Sequence, residues 1–202
     1  MSQVTSRTDI LTKHLDVWNN SSSSWIDFKK WAECGDNELT MEQFEGQPCW
    51  VGLDLASRVD LCSLMFVFKD DNENFYVFGK HYINEEQASK PENKHYRDWQ
   101  LENWITITEG SETDFSYIME DLKDLSNKYM IQELAYDPRE ASYLMQQVRE
   151  WASFPCIEMS QCPVNFSEPM KELEAAYQTK RLHHANDPVL YRDWETDRKS
   201  VV

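Results

Sequence analysis

A chain of 202 residues is long enough for one compact domain with some flanking material. Its residues are 41% hydrophobic and 13% aromatic, with eight Trp, which fills a core and excludes a disordered polymer. Twenty basic residues against 36 acidic ones leave a net charge of −16, which turns the surface as a whole against nucleic acid and leaves any DNA-directed activity to local contacts. No apolar run approaches the roughly 18 residues of a membrane helix, and the opening "MSQVTSRTDILTKHLD" has no apolar signal core, so no membrane association and an intracellular, soluble chain are expected. The cysteines (Cys34, Cys49, Cys62, Cys156, Cys162) are odd in number and include no CxxC, which predicts free thiols.

Residues 1–48 differ in character from the rest of the chain. "NNSSSSW" is polar, and "WIDFKKWAECGDNELTMEQFEGQP" is a short amphipathic piece ending in Gly and Pro; together they predict a connecting segment with one small helix. From Pro48 the pattern is that of strands: "CWVGLDLA", "LCSLMFVFK" and, after the turn "DDNEN", "FYVFGKHY". These three predict an antiparallel meander. Residues 84–104 are polar and predict a helical excursion or insertion, and "NWITITEG" predicts an edge strand.

The rhythm then alternates. Phe115, Ile118, Met119, Leu122 and Leu125 stand at helical spacing, and "MIQELAYD" comes next as an apolar strand. "PREASYLMQQVREWA" opens with Pro at a helix's first position, where the missing N–H costs nothing. "FPCIEMS" predicts another strand, and "SEPMKELEAAYQTKRL" a last helix with Ser167 as N-cap and Pro169 near its start. The fold class expected is α/β: a mixed sheet with an antiparallel three-strand meander followed by helix and strand crossovers.

In such sheets ligands collect where central strands end. Asp54 lies in the first strand, and Asp137 ends "IQELAYD" directly before a helix. If those strands are neighbours the two carboxylates converge, and neither has a Lys or Arg within its own strand to neutralise it. A divalent cation with oxygen ligands answers that need. A helix N-cap is the competing role for Asp137 before Pro138, and a hydrogen-bonded structural acid the competing role for Asp54; spacing does not choose between them. Cys156, Cys162, His183 and His184 match no zinc spacing. "KRLHH" and "KHYRDW" set basic residues near aromatics, as phosphate contacts or as ordinary surface charge.

Four stretches, "GLDLASRVDLCSLMFVF", "WITITEGSETDFSYI", "ELAYDPREASYLMQQV" and "FPCIEMSQCPVNFSEPMKELEAAYQTKRLHHANDPVL", resemble in that order the C-terminal nuclease domain of the tailed-phage terminase large subunit. The likeness covers residues 49–190, and "ILTKHLDVWNNSSSSWIDFKKWAEC" resembles the segment that joins motor to nuclease. The resemblance implies a ribonuclease H-like fold and Mg²⁺- or Mn²⁺-dependent cutting of concatemeric double-stranded DNA during genome packaging in the host cytoplasm. It implies as partners the terminase small subunit, the portal protein and an ATPase domain. By position it makes Asp54 and Asp137 catalytic metal ligands, Asp60 a further acid at the start of the second strand, and His184 the counterpart of a recurrent family His. Asp60 also suits a plain hairpin turn.

Two departures from the family pattern are visible. No G-x-x-x-x-G-K-[ST] occurs among residues that include only five Gly, so ATP hydrolysis by that loop is not expected of this chain. After "NDPVL" the family continues to a third acid, whereas this chain reads "YRDWETDRKSVV". The expectation is a truncated C-terminus, with 191–202 a tail foreign to the family, no third ligand assignable to Asp193, Glu195 or Asp197, and weak cleavage or none. The alternatives are a catalytically silent docking module of the packaging motor, or another ribonuclease H-like enzyme such as a transposase or resolvase.

Overall fold

The computed structural model describes residues 26–190. The connecting stretch "NNSSSS" and the tail 191–202 lie outside the described residues. Strands β1 (Pro48–Asp54), β2 (Cys62–Lys69) and β3 (Phe75–Asn84) form the antiparallel meander, in register from Asp54↔Ser63 and Ser63↔His81 onward. Strand β4 (Ile105–Thr108) pairs parallel with the far end of β3. Between them lie short helices α2 (Glu85–Ala88) and α3 (His95–Leu101), the excursion that the polar stretch predicts. Helix α4 (Phe115–Lys128), capped by Asp114, leads into β5 (Met130–Tyr136), and helix α5 (Pro138–Trp151) into β6 (Cys156–Glu158). The sheet order is β4-β3-β2-β1-β5-β6, with β5 parallel to β1 and β6 parallel to β5.

Alternation along the strands sorts the side chains into two layers. Cys49, Val51 and Leu53 of β1, Leu64, Phe66 and Phe68 of β2 and Leu134 and Tyr136 of β5 face one side and are buried. There they meet Ile118, Leu122 and Leu125 of α4 and Ala141, Leu144, Met145 and Val148 of α5, all at helical spacing. The opposite side of β1 carries Trp50, Gly52 and Asp54, of which Trp50 and Asp54 are exposed.

Three elements differ from the sequence expectation. The last helix, α6, spans Pro163–Gln178, so it starts four residues before Ser167: Pro163 takes the first helical position, and Pro169 stands inside the helix on its exposed N-terminal half. Pro169 has no N–H to give to Asn165, a loss tolerable where solvent reaches that turn. Leu182–His184 is not the end of that helix but a short strand, β7, parallel to β3 at Phe75–Val77. Residues 26–48 contain the expected small helix, α1 (Phe28–Ala32), and Trp31 of that helix packs with Cys34, Ala176, Tyr177 and Leu182 in a cluster of its own. Phe44 stacks on Phe68 with ring centroids 4.7 Å apart, so this segment is built onto the sheet.

All five cysteines are free. Among the described residues no helix is long and apolar enough to cross a membrane.

Candidate active site

The C-terminal ends of the parallel strands β1, β5 and β6 lie side by side, the arrangement that opens a crevice in an α/β sheet. In the β1–β5 ladder the last registered pair is Leu53↔Tyr136. One residue further along each strand are Asp54 and Asp137. Asp137 keeps extended backbone (φ −75°, ψ 124°), so both acids leave the sheet on the face opposite Leu53 and Tyr136. Neighbouring strands are about 4.8 Å apart, so the backbones of the two acids end side by side.

Each acid also has a local partner. Asp137 caps α5: its Oδ1 accepts the Arg139 backbone N–H at 3.1 Å, and Arg139 Nε stands 3.5 Å from its Oδ2. The capping role is therefore present in the structure. The side chain of Asp137 is 11% exposed, so its carboxylate is largely withdrawn from bulk water. Asp54 Oδ1 accepts Gln161 Nε2 at 3.1 Å, so the loop between β6 and α6 reaches back over the first strand. Glu140, three residues after Asp137, accepts the Ser57 backbone N–H at 3.0 Å and ties the β1–β2 connection to the N-terminus of α5. Behind this row, burial pushes the Cys62 thiol up to about 11, and the negative charges of Asp54 and Glu140 push in the same direction.

Asp60 is exposed in the connection 55–61, not at the start of β2: the ladder begins at Cys62↔Tyr82, and residues 57–60 form bends. Among the described residues no three His, Cys, Asp or Glu side chains gather around a point that could hold a metal ion. The oxygen donors at these two strand ends are the carboxylates of Asp54 and Asp137, with the Gln161 amide bonded to Asp54. Hard oxygen donors in that number fit a divalent cation such as Mg²⁺, which keeps several of its waters when bound through one or two carboxylates.

His184 lies elsewhere. It sits on β7, which pairs with the opposite end of β3 from the residues that neighbour Asp54. Its ring stacks on Trp31 at 4.9 Å, Nε2 is 3.1 Å from the Trp31 carbonyl, and Nδ1 accepts the Asn186 N–H at 3.2 Å. Nε2 therefore carries the proton and donates it to the carbonyl. Burial holds its pKa below the ordinary histidine value, against the opposing effects of the Trp31 carbonyl and Asp187; His183 adds a little in the same direction as burial. A base held neutral in the fold but free to charge when unfolded has no pH-linked effect well above about pH 6.5 and destabilises the fold as pH drops below this value, by at most about 1.4 kcal/mol per pH unit. Thermal melts between pH 7.5 and 5.5 are expected to lose midpoint faster in the parent chain than in His184→Phe, which keeps the stack without the titration. Equal slopes would contradict the assignment.

The basic clusters are engaged in the fold. Arg181 pairs with Glu172 at 3.0 Å and lies 5.7 Å over the Phe75 ring, and His183 stacks on Tyr76 at 4.9 Å. A feature that sequence reasoning misses sits beside Asp54. Ser63 and His81 are its successive cross-strand neighbours, and Ser63 Oγ is 2.8 Å from His81 Nδ1 while His81 Nε2 is 3.0 Å from Asp187 Oδ2. Strand alternation places Ser63 and His81 on one face, but only the register connects that face to Asp54.

Comparison with known proteins bears on this arrangement. The family profile described as "Terminase large subunit, endonuclease domain" matches residues 1–196. The chain is similar to protein YmfN of Escherichia coli K12, at 31% identity over 190 residues covering 89% of this chain and 42% of that protein. It is also similar to the terminase large subunit of Enterobacteria phage HK97, at 24% identity over 176 residues covering 83% of this chain and 33% of that one. The crystal structure of the HK97 large terminase matches with a TM-score of 0.72 at 22% identity over 83% of this chain and 35% of that chain, which shows a shared, ribonuclease H-like fold. This chain thus spans well under half the length of these relatives.

Proposed function

The chain belongs to the family of terminase large-subunit endonuclease domains, and on that premise we propose that it is a divalent-metal-dependent DNA endonuclease that cuts concatemeric double-stranded DNA during phage genome packaging. The observation that carries this reading is the pair Asp54 and Asp137, one step beyond a registered pair at the ends of adjacent parallel strands and on one face. Asp54 and Asp137 would hold Mg²⁺ or Mn²⁺ between them. Such an ion lowers the pKa of a water and stabilises the charge that develops on the departing oxygen of a phosphodiester.

The protein's own contribution is placement. Asp54 presents its carboxylate on the open side of the sheet, where a DNA strand has access. Asp137 is fixed at the mouth of α5 by its cap bond, so its second oxygen keeps a constant direction. Gln161 restrains Asp54 from the β6 side and shields part of it from bulk water. DNA contacts in this reading go to phosphates rather than base edges, so sequence preference is low, and with a net charge of −16 binding weakens quickly as salt rises. The terminase small subunit, the portal protein and an ATPase domain are the partners this role requires, and the host cytoplasm is its compartment.

The test is nicking of supercoiled plasmid by the chain with Mn²⁺ and then with excess chelator. Slow, metal-dependent nicking to open circles is expected, in keeping with the third acid that the sequence does not assign. Nicking that survives the chelator, or a rate with Mn²⁺ no higher than with chelator after prolonged incubation of the folded chain, would count against the reading.

A further inference from the structure

Two carboxylates leave a divalent cation short of protein ligands, and the next residue in the same cross-strand row is Ser63. Asp54 pairs with Ser63 and Ser63 with His81, so the three side chains stand on one face of the sheet with adjacent Cβ atoms about 5 Å apart. On the other side of β1, Asp137 follows directly after the last registered pair, Leu53↔Tyr136.

The orientation of the Ser63 hydroxyl is set by the groups behind it. Asp187 is 6% exposed, and its two oxygens are both in use: Oδ1 accepts the Val189 N–H at 2.8 Å and Oδ2 faces His81 Nε2 at 3.0 Å. A carboxylate only accepts, so Nε2 carries a proton and donates it. With the proton on Nε2 alone, Nδ1 accepts from its neighbour at 2.8 Å, the Ser63 hydroxyl. That bond engages the Ser63 hydrogen and leaves its oxygen lone pairs available on the face it shares with Asp54. The ring has little freedom to do otherwise. His81 is 3% exposed, and it lies so close over Gly79 that a Cβ there would stand 2.3 Å from Nε2 and 3.1 Å from Met65 Sδ.

We propose that Ser63 is a third oxygen ligand of the divalent cation held by Asp54 and Asp137, with His81 and Asp187 as positioning residues that fix its hydroxyl as an acceptor. This rests on the metal-dependent function proposed for the Asp54 and Asp137 pair. The device also ties the 185–190 segment, which carries Asp187, to the strand-end site through one buried imidazole.

Mn²⁺ affinity, measured by electron paramagnetic resonance on the full chain with circular dichroism as a check of folding, separates the possibilities. Ser63→Ala is expected to weaken Mn²⁺ about tenfold, Ser63→Thr, which keeps the hydroxyl, to stay within about twofold, and Asp187→Asn to lose about tenfold through the positioning chain. Nitrogen-15 resonances of His81 are expected to report the Nε2-protonated tautomer. If Ser63→Ala binds Mn²⁺ like the parent while Asp54→Asn does not, the Ser63 inference is overturned and the metal reading stands. If Asp54→Asn also binds like the parent, the metal reading falls and the inference with it. Loss in Ser63→Ala with none in Asp187→Asn would overturn the positioning role.

Discussion

Replacing Asp54 by Asn is expected to lower Mn²⁺-dependent plasmid nicking by about a thousandfold, because losing one charged ligand removes several kcal/mol of stabilisation of the transition-state charge and each ~1.4 kcal/mol is a factor of ten in rate. The side chain is exposed and its replacement has the same shape, so the thermal midpoint should hardly move. Asp137 allows a sharper comparison, because it caps α5 as well. Asn caps a helix as well as Asp does, whereas Ala loses about 1 kcal/mol. Asp137→Asn should therefore keep the stability and lose the cleavage, and Asp137→Ala should lose both. Parent-level nicking by Asp137→Asn would reduce Asp137 to a cap.

The second large effect is on the fold. Leu134 is fully buried in β5, opposite Val51 of β1, in the core shared with α4 and α5. Leu134→Ala removes buried methyl groups from a packed interior and is expected to cost about 2–5 kcal/mol, a large share of the roughly 5–15 kcal/mol that holds a domain together. In a chain of this length that corresponds to a fall of roughly 5–20 °C in thermal midpoint. Because β5 delivers Asp137 to the site, metal-dependent activity should fall at lower temperature in this variant than in the parent. A cost below about 1 kcal/mol would mean that β5 is not packed between β1 and the helices.

The sheet was legible where a local signal existed. The runs "CWVGLDLA", "LCSLMFVFK" and "FYVFGKHY" alternate and are separated by turn residues, and they form β1, β2 and β3. The spacing of Ile118, Leu122 and Leu125, and of Ala141, Leu144, Met145 and Val148, announces α4 and α5. β7 was not legible: three residues, "LHH", are too few to show a period, and they come after a helix whose pattern they continue. The start of α6 was misplaced because two prolines compete for the first helical turn, and Ser167 before Pro169 imitates a cap that Pro163 makes unnecessary.

The site divides in the same way. Asp54 and Asp137 could be picked out as acids at strand ends, a property of single segments. That they stand side by side depends on β1 and β5 being parallel neighbours, which a linear reading could pose only as a condition. Asp60 is expected from the family resemblance at the start of the second strand, but it lies in the 55–61 connection ahead of the β2 ladder, as a turn acid does. Ser63, His81 and Asp187 were invisible for the opposite reason: 18 residues separate the first two and 106 the second pair, and only the cross-strand register and the fold of the 185–190 segment bring them together.

The most direct measurement is an anomalous-difference map from crystals of the chain grown with Mn²⁺. A peak within ligand distance of both the Asp54 and Asp137 carboxylates is the result expected here. A well-ordered site with no peak between those two side chains, or Mn²⁺ bound only elsewhere, would contradict the claim that they share a cation.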